Sequence, residues 1–259
     1  MNTWNRDSMK IITIASEKGG SGKTTSALAL GQGLNHKKRK TLLIDLDGQQ
    51  AGLTLLMGAK PTSNNAYDVL RGKCTISDAI THTDLGDIVP HGLNMESLET
   101  EIKTGREIRL KKALSDLQGY EYVIIDTPPA MGVLVDNALT TSDGVIIPAR
   151  ADGMGLASVY STIKQVRQVQ EYTNPRLEIL GILITDYNGR TVVSRETVEE
   201  LEDLAGRQGT VVYQSKIRQC SAIQEDQKTR ANLFKRSKKC NAVKDYSDLM
   251  DEIISQLKM

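Results

Sequence analysis

Lys18, Gly19, Gly20, Ser21, Gly22, Lys23, Thr24 and Thr25 form one uninterrupted segment whose residue types all suit contact with phosphate. The glycines let successive backbone N–H groups turn toward the oxygens of an anion, and a helix beginning beyond them adds partial positive charge at its N-terminus. Lys23 then reaches the β- and γ-phosphates of a nucleoside triphosphate, and the Thr24 hydroxyl ligates Mg²⁺. A glycine-rich turn carrying surface lysines is the plain alternative. Against it stands the order of the flanking residues: an apolar run at 11–15 precedes the loop, and the helix-compatible Ser26-Ala27-Leu28-Ala29-Leu30 follows it.

Carboxylates recur at the ends of two further apolar runs. Asp45 and Asp47 close the run at 41–45, and Asp126 closes Val123-Ile124-Ile125. An open α/β sheet places its ligands beyond the carboxyl ends of its strands, so a D-x-D pair there is suited to steering Mg²⁺ and a water. Asp126 is expected to hold the hydration shell of Mg²⁺, a cation that sheds water reluctantly. For Asp45 or Asp126 alone, a strand-end cap is the plain reading. No N-K-x-D segment that would read guanine occurs, which favours ATP over GTP.

Elements that hold these residues in place can be read from periodicity. Short, β-branched-rich runs at 11–15, 41–45, 88–90, 122–126, 144–148 and 179–185 read as buried parallel strands. Between them, residues 24–35, 107–117, 155–171 and 193–205 carry apolar residues at helical spacing. The alternation predicts a doubly wound α/β fold, a mostly parallel sheet with helices on both faces. No repeat or low-complexity linker marks a second domain. The expected division is a flexible 1–9 followed by a single phosphate-binding domain over 10–259.

K-G-G-x-G-K-T departs from the usual G-x-x-x-x-G-K-[ST] loop, since Glu17 stands where a glycine would be, and the extra Lys18 lies inside it. This variant resembles the deviant Walker A loop of the ParA/MinD group of P-loop ATPases, which includes Soj-like proteins. The resemblance implies that Lys18 crosses a dimer interface to the partner's nucleotide and that Asp47 helps to activate the attacking water. The family's D-x-D-P-Q here reads Asp45-Leu46-Asp47-Gly48-Gln49, with glycine in place of proline, and Asp126-Thr127-Pro128-Pro129 is similar to its D-x-P-P. Tyr67-Asp68-Val69-Leu70 with Asp78-Ala79-Ile80, and Arg190-Thr191 with Ile217-Arg218, extend the similarity over about residues 10–258. ATP and Mg²⁺ as cofactors, Lys18, Lys23 and Asp47 as catalytic residues, and Thr24, Asp45 and Asp126 as metal-site residues are thereby implied.

A net charge of +1 excludes a wholly basic nucleic-acid coat protein, so any DNA contact must be local. Residues 214–244 hold nine basic residues against Glu225 and Asp226. A solvated helix face is the commoner meaning of such a run. The resemblance favours non-specific DNA contact instead, because it implies that role for Arg190 and Arg218; Lys228, Arg230, Lys235, Arg236, Lys238 and Lys239 join them on charge, within a basic surface over 187–244. Only Phe234 and Tyr246 lie nearby for base stacking, so the backbone of duplex DNA is the expected target. A homodimer sandwiching ATP and a ParB-like activator are the partners that the family implies.

Three cysteines, Cys74, Cys220 and Cys240, show no C-x-x-C spacing, so neither a disulfide framework nor a zinc site is expected, and a reducing cytoplasm fits; nucleoid association is what the resemblance implies. A nitrogenase-iron-protein-like reductase would need cluster cysteines that the stretch between Cys74 and Cys220 lacks. A MinD-like membrane helix at the C-terminus is opposed by Asp248, Asp251 and Glu252, and a docked helix is expected there. An ATPase that positions a protein cargo stays open. His36, His82 and His91 read as structural or surface residues. Asp152 faces the nucleotide, or Lys18 in the dimer, or is a plain loop carboxylate.

Overall fold

Strands that are apolar or β-branched up to a closing aspartate can be buried on both faces only inside a layered fold, and the strands at 41–45 and 122–126 are buried at all five positions. The computed structural model describes residues 9–48, 52–60, 64–130, 132–153, 155–237 and 239–257. Its strands are β1 (Lys10–Ile14), β2 (Thr41–Asp45), β3 (Thr81–Thr83), β4 (Gly86–Val89), β5 (Tyr122–Asp126), β6 (Gly144–Arg150) and β7 (Glu178–Thr185). They form one sheet in the order β3-β4-β2-β5-β1-β6-β7, parallel except for β3.

The helices are α1 (Lys23–His36), α2 (Leu53–Leu56), α3 (Ala66–Leu70), α4 (Leu98–Glu101), α5 (Arg109–Leu114) and α6 (Val133–Thr141). They continue with α7 (Leu156–Tyr172), α8 (Val192–Gln208), α9 (Ser221–Thr229), α10 (Leu233–Arg236) and α11 (Asn241–Gln256). Successive strand residues turn to opposite faces. Ile12, Leu43, Ile124 and Ile146 pack with α1, α10 and α11 on one side. Ile11, Leu42, Val123 and Ile125 pack with α3 and α5 on the other, continued by Val145 and Ile147 with α7 and α8. This is the doubly wound arrangement expected from the alternation of elements.

Gly33 explains how three helices share the first face. A Cβ there would lie 2.7 Å from Phe234 and 2.4 Å from Met250, so its absence admits α10 and α11 against α1. The α11 face bearing Tyr246, Leu249, Met250 and Ile253 is buried in this contact, which is the docked terminal helix expected above. No helix among the described residues is long and apolar enough to cross a membrane.

Some expectations need correction. β3 was not anticipated, because three polar, partly exposed residues at a sheet edge carry no apolar run. The helix expected over 107–117 is a 3₁₀ turn and then a short α5, and the Ser115 hydroxyl bonds back to the Lys112 carbonyl just past its end. Met9, placed by the sequence in the flexible tail, is buried against the second face. Cys220 and Cys240, 20 residues apart, are joined as a disulfide, a pairing that their spacing does not reveal because it depends on how α9 and α11 begin side by side. The rest of the 1–9 tail, and Lys238, lie outside the described residues.

Candidate functional site

The phosphate segment leaves β1 and turns into α1 through two left-handed residues, Gly20 at φ 71° and Gly22 at φ 96°. Gly22 is also the α1 N-cap, and a Cβ on it would stand 3.2 Å from the Thr185 methyl group. Thr185 ends β7 and donates a 2.8 Å hydrogen bond to the Ser21 carbonyl, fastening the loop to the strand beyond β6. Glu17, the departure from the usual pattern, is exposed, and its N–H is held by Thr162 Oγ1 at 3.2 Å.

Lys23 is buried in the loop, with Nζ 3.2 Å from the Lys18 carbonyl. Burial pulls its pKa below the ordinary lysine value, opposed by the charges of Asp126 and Asp47. A desolvated ammonium at the N-terminus of α1 is suited to an incoming polyanion. The Lys18 side chain pairs at 2.8 Å with Asp152 of the same chain. Asp152 also lies 3.8 Å from Arg150, which pairs with Asp186, so charges at the ends of β6 and β7 are linked across the site.

Asp45 and Asp126 are register partners on β2 and β5, and neither is exposed to solvent. Asp45 Oδ1 accepts from the Asp47 N–H at 3.0 Å, and Oδ2 accepts from Thr54 N and Oγ1 at 2.7 and 2.6 Å. His91 Nδ1 stands 3.4 Å from the same Oδ2, and this contact holds the imidazole pKa above its usual value. His91, read from the sequence as structural or surface, thus belongs to the site. Asp45, expected among the metal-site residues, spends Oδ2 on Thr54 and His91 and one bond of Oδ1 on the Asp47 N–H, and so also shapes the loop that carries Asp47.

Asp126 differs. Neither of its oxygens makes a hydrogen bond of normal geometry, although the Thr24 hydroxyl approaches closely enough to favour the charged form. Burial first, then the charge of Asp45, pushes its carboxyl well above the ordinary carboxylate range. Two orphaned carboxylate oxygens beside a threonine hydroxyl fit a divalent cation that brings its own waters. No group of three His, Cys, Asp or Glu among the described residues could hold a metal alone, so such a cation would share its coordination with water and phosphate.

Beyond the loop opens a cavity of about 450 Å³, walled by Gly20, Gly22, Thr25, Asp186, Gln219 and Gln224 among others. Besides the loop itself, these walls come from the end of β7 and from the start of α9, elements far beyond the loop in sequence. Gln227 of α9 closes the link by donating to Thr25 Oγ1 at 3.0 Å.

A family model described as an AAA domain matches residues 9–179. The chromosome partitioning protein ParA of Caulobacter vibrioides is 31% identical over 96% of this chain and 95% of its own length. The chain belongs to the ParA/Soj family of partition proteins. A plasmid partition protein of Borrelia burgdorferi solved with AMPPNP is 27% identical, with a TM-score of 0.81 over 96% of this chain and 99% of that one. A cobyrinic acid a,c-diamide synthase of Mycobacterium smegmatis solved with an ATP analogue and magnesium is 33% identical, with a TM-score of 0.75 over 90% and 99%.

In this ParA/Soj-family chain the basic candidates do not form one patch. Arg190 and Arg218 lie on adjoining segments, since Tyr187 and Gln219 exchange backbone contacts with their neighbours across the turn. Arg218 is committed to Asp245 of α11, with Nε–Oδ2 at 3.0 Å and Nη2–Oδ1 at 2.5 Å. Arg236 pairs with the buried Asp226 at 3.5 Å. Lys235 lines a different cavity with His36 and Lys38, at the far end of α1 from the phosphate loop. A 14-residue helix separates the two groups by about 20 Å. Lys228, Arg230 and Lys239 are exposed, and no ion pair holds them among the described residues.

Proposed function

We propose that this chain is a Mg²⁺-dependent ATPase whose ATP-driven dimerisation switches on non-specific binding to duplex DNA, for partitioning a plasmid or chromosome in the cytoplasm. One observation supports it most: the orphaned Asp126 carboxylate and the buried Lys23 ammonium meet at one glycine loop and share a need for a metal-bound polyphosphate. Residues 10–259 act as one ATPase domain.

Gly19 to Thr25 hold the phosphates through backbone N–H groups, with Lys23 on the β- and γ-phosphates. Thr24 directly, and Asp126 through water, would hold Mg²⁺, which supplies charge neutralisation on the transferred group. Asp47 orients a water whose oxygen bonds to the γ-phosphorus as the bond to the β–γ bridging oxygen breaks, giving ADP and phosphate. Lys18 leaves Asp152 and reaches across to the partner's nucleotide, so the charged loop is completed only in the dimer. The cavity beside Asp186 and Gln224 takes the nucleoside. Arg190, Lys228, Arg230, Lys235 and Lys239 contact phosphates of the duplex. A ParB-like partner stimulates an intrinsically slow hydrolysis and so releases the protein.

The decisive measurement is binding to non-specific duplex DNA with ATP, with ADP and without nucleotide, across a salt series. Binding that needs ATP, weakens with salt and falls in Lys228→Ala is expected. No ATP-dependent binding at low salt overturns the reading and points to a protein scaffold or membrane surface. Arg218→Ala is a poor probe here, because it also strips the partner from Asp245.

A further inference from the structure

Cys220 and Cys240 begin α9 and α11 as their N-caps, and the disulfide between them closes a segment that carries Lys228, Arg230, Lys235 and Lys239. Their Cα atoms are 7.3 Å apart. Cys220 also lines the 450 Å³ cavity beside the phosphate loop. The helix between buries little apolar surface: Asp226, bonded to Ser237 and paired with Arg236, is the one fully buried residue of α9, Ile223 packs at the core's edge, and Gln227 donates to Thr25 of the loop helix. A helix with so little buried apolar surface is one that opens locally at small cost. A covalent tie at its first residue therefore has a large share in fixing it.

We propose that Cys220 and Cys240 are a reversible thiol–disulfide switch that clamps α9 and with it one wall of the nucleoside cavity. In the reducing compartment proposed for this chain, a protein disulfide is characteristically a transient or redox-sensing bond. Both thiols sit at helix N-termini, where the partial positive charge favours the thiolate, and Cys240 Sγ already accepts a hydrogen bond from the Ala242 N–H at 3.3 Å.

The chemistry is exchange with a small-molecule disulfide such as oxidised glutathione. One cysteine thiolate attacks a sulfur of the oxidant and displaces a thiolate, forming a mixed disulfide. The second cysteine thiolate attacks the protein sulfur of that mixed disulfide and releases the other small thiol. The protein loses two electrons and two protons, and the oxidant becomes two thiols. Oxidation holds the cavity wall in place before nucleotide arrives, which lowers the ordering cost of binding.

The nucleotide arm of this proposal rests on the functional reading above, whereas the thiol arm does not. The full chain is poised in glutathione buffers from reducing to oxidising, and free thiols are counted by alkylation and mass. Three alkylated thiols are expected under reducing conditions and Cys74 alone under oxidising ones, as a single two-electron transition. Amide exchange in 221–229 slows by roughly tenfold on oxidation, and a fluorescent ATP analogue binds roughly three- to tenfold more tightly. Cys220→Ser and Cys240→Ser each abolish both changes, while Cys74→Ser preserves them. Three alkylated thiols throughout overturn the switch, as does a disulfide that leaves exchange and affinity unchanged. Failure of the analogue to bind in either state overturns the nucleotide reading, and the exchange data then judge the clamp alone.

Discussion

Asp126 is held in a state that a cation would relieve, and this makes its ionisation readable in stability. Its folded carboxyl titrates well above the ordinary value because burial and Asp45 disfavour the charge. The folded chain therefore keeps a proton that the unfolded chain releases. The group's stabilising contribution is complete below the ordinary carboxylate range and is lost as pH rises through the folded value. Asp126→Asn removes the charge but keeps the shape. The variant is expected to unfold about 1–3 kcal/mol later than the parent at neutral pH without Mg²⁺, the scale of an unsatisfied buried group. It should also lack the parent's decline with rising pH, while Mg²⁺-dependent hydrolysis collapses. Denaturation curves at several pH values, beside phosphate release, test both halves. Lys23→Met is expected to cut hydrolysis by roughly 10²-fold or more, the usual effect of removing one charge stabiliser, and to leave the apo fold intact.

At the scale of elements, Arg218 and Asp245 fasten the loop before α9 to α11. Asp245 is 8% exposed at its side chain, so Arg218→Ala strands a nearly buried carboxylate. Because Arg218 itself is 42% exposed, the expected loss is about 1–3 kcal/mol, less than for a fully buried pair. Arg218→Lys restores little, since an ammonium cannot make the two-pronged contact. Thermal unfolding of the two variants decides this, and equal stability to the parent would show that the tie is dispensable. The same region marks the limit of what residues alone disclose. Parallel strands such as 41–45 and 122–126 could be read from the chain because full burial demands unbroken apolar runs. The glycine loop was legible because its conformation admits so few residue types. Asp245 as the partner of Arg218, Cys240 as the partner of Cys220, and Gln224 as a cavity wall depend on how α9 and α11 pack against α1, and no local pattern records that. His91 escaped for a related reason: a histidine at a strand end is ordinary until Asp45 is found beside it.

For the whole molecule, the ion pair between Lys18 and Asp152 and the split basic surface bear on a single question, whether one copy or two contacts DNA. Within one chain Lys18 is occupied by Asp152 at 2.8 Å, so the dimerisation around nucleotide proposed above requires this ion pair to open. Asp152→Ala is then expected to dimerise at lower ATP concentration and Lys18→Ala not to dimerise, as read by sedimentation. The proposed dimer would double every phosphate contact, and salt dependence counts contacts. The logarithm of affinity falls with the logarithm of salt concentration at a slope of about 0.9 per neutralised phosphate. Lys228→Ala removes one contact from a monomer and two from a symmetric dimer. Its ATP-bound form should therefore show a slope shallower than the parent by about 1.8, against about 0.9 if single chains bind. An unchanged slope would place Lys228 outside the DNA surface and shift the contact to Arg190 at the phosphate-loop end or to Lys235 at the far end of α1. Applied to each in turn, the same arithmetic counts what each of the two separated basic groups contributes to the duplex contact.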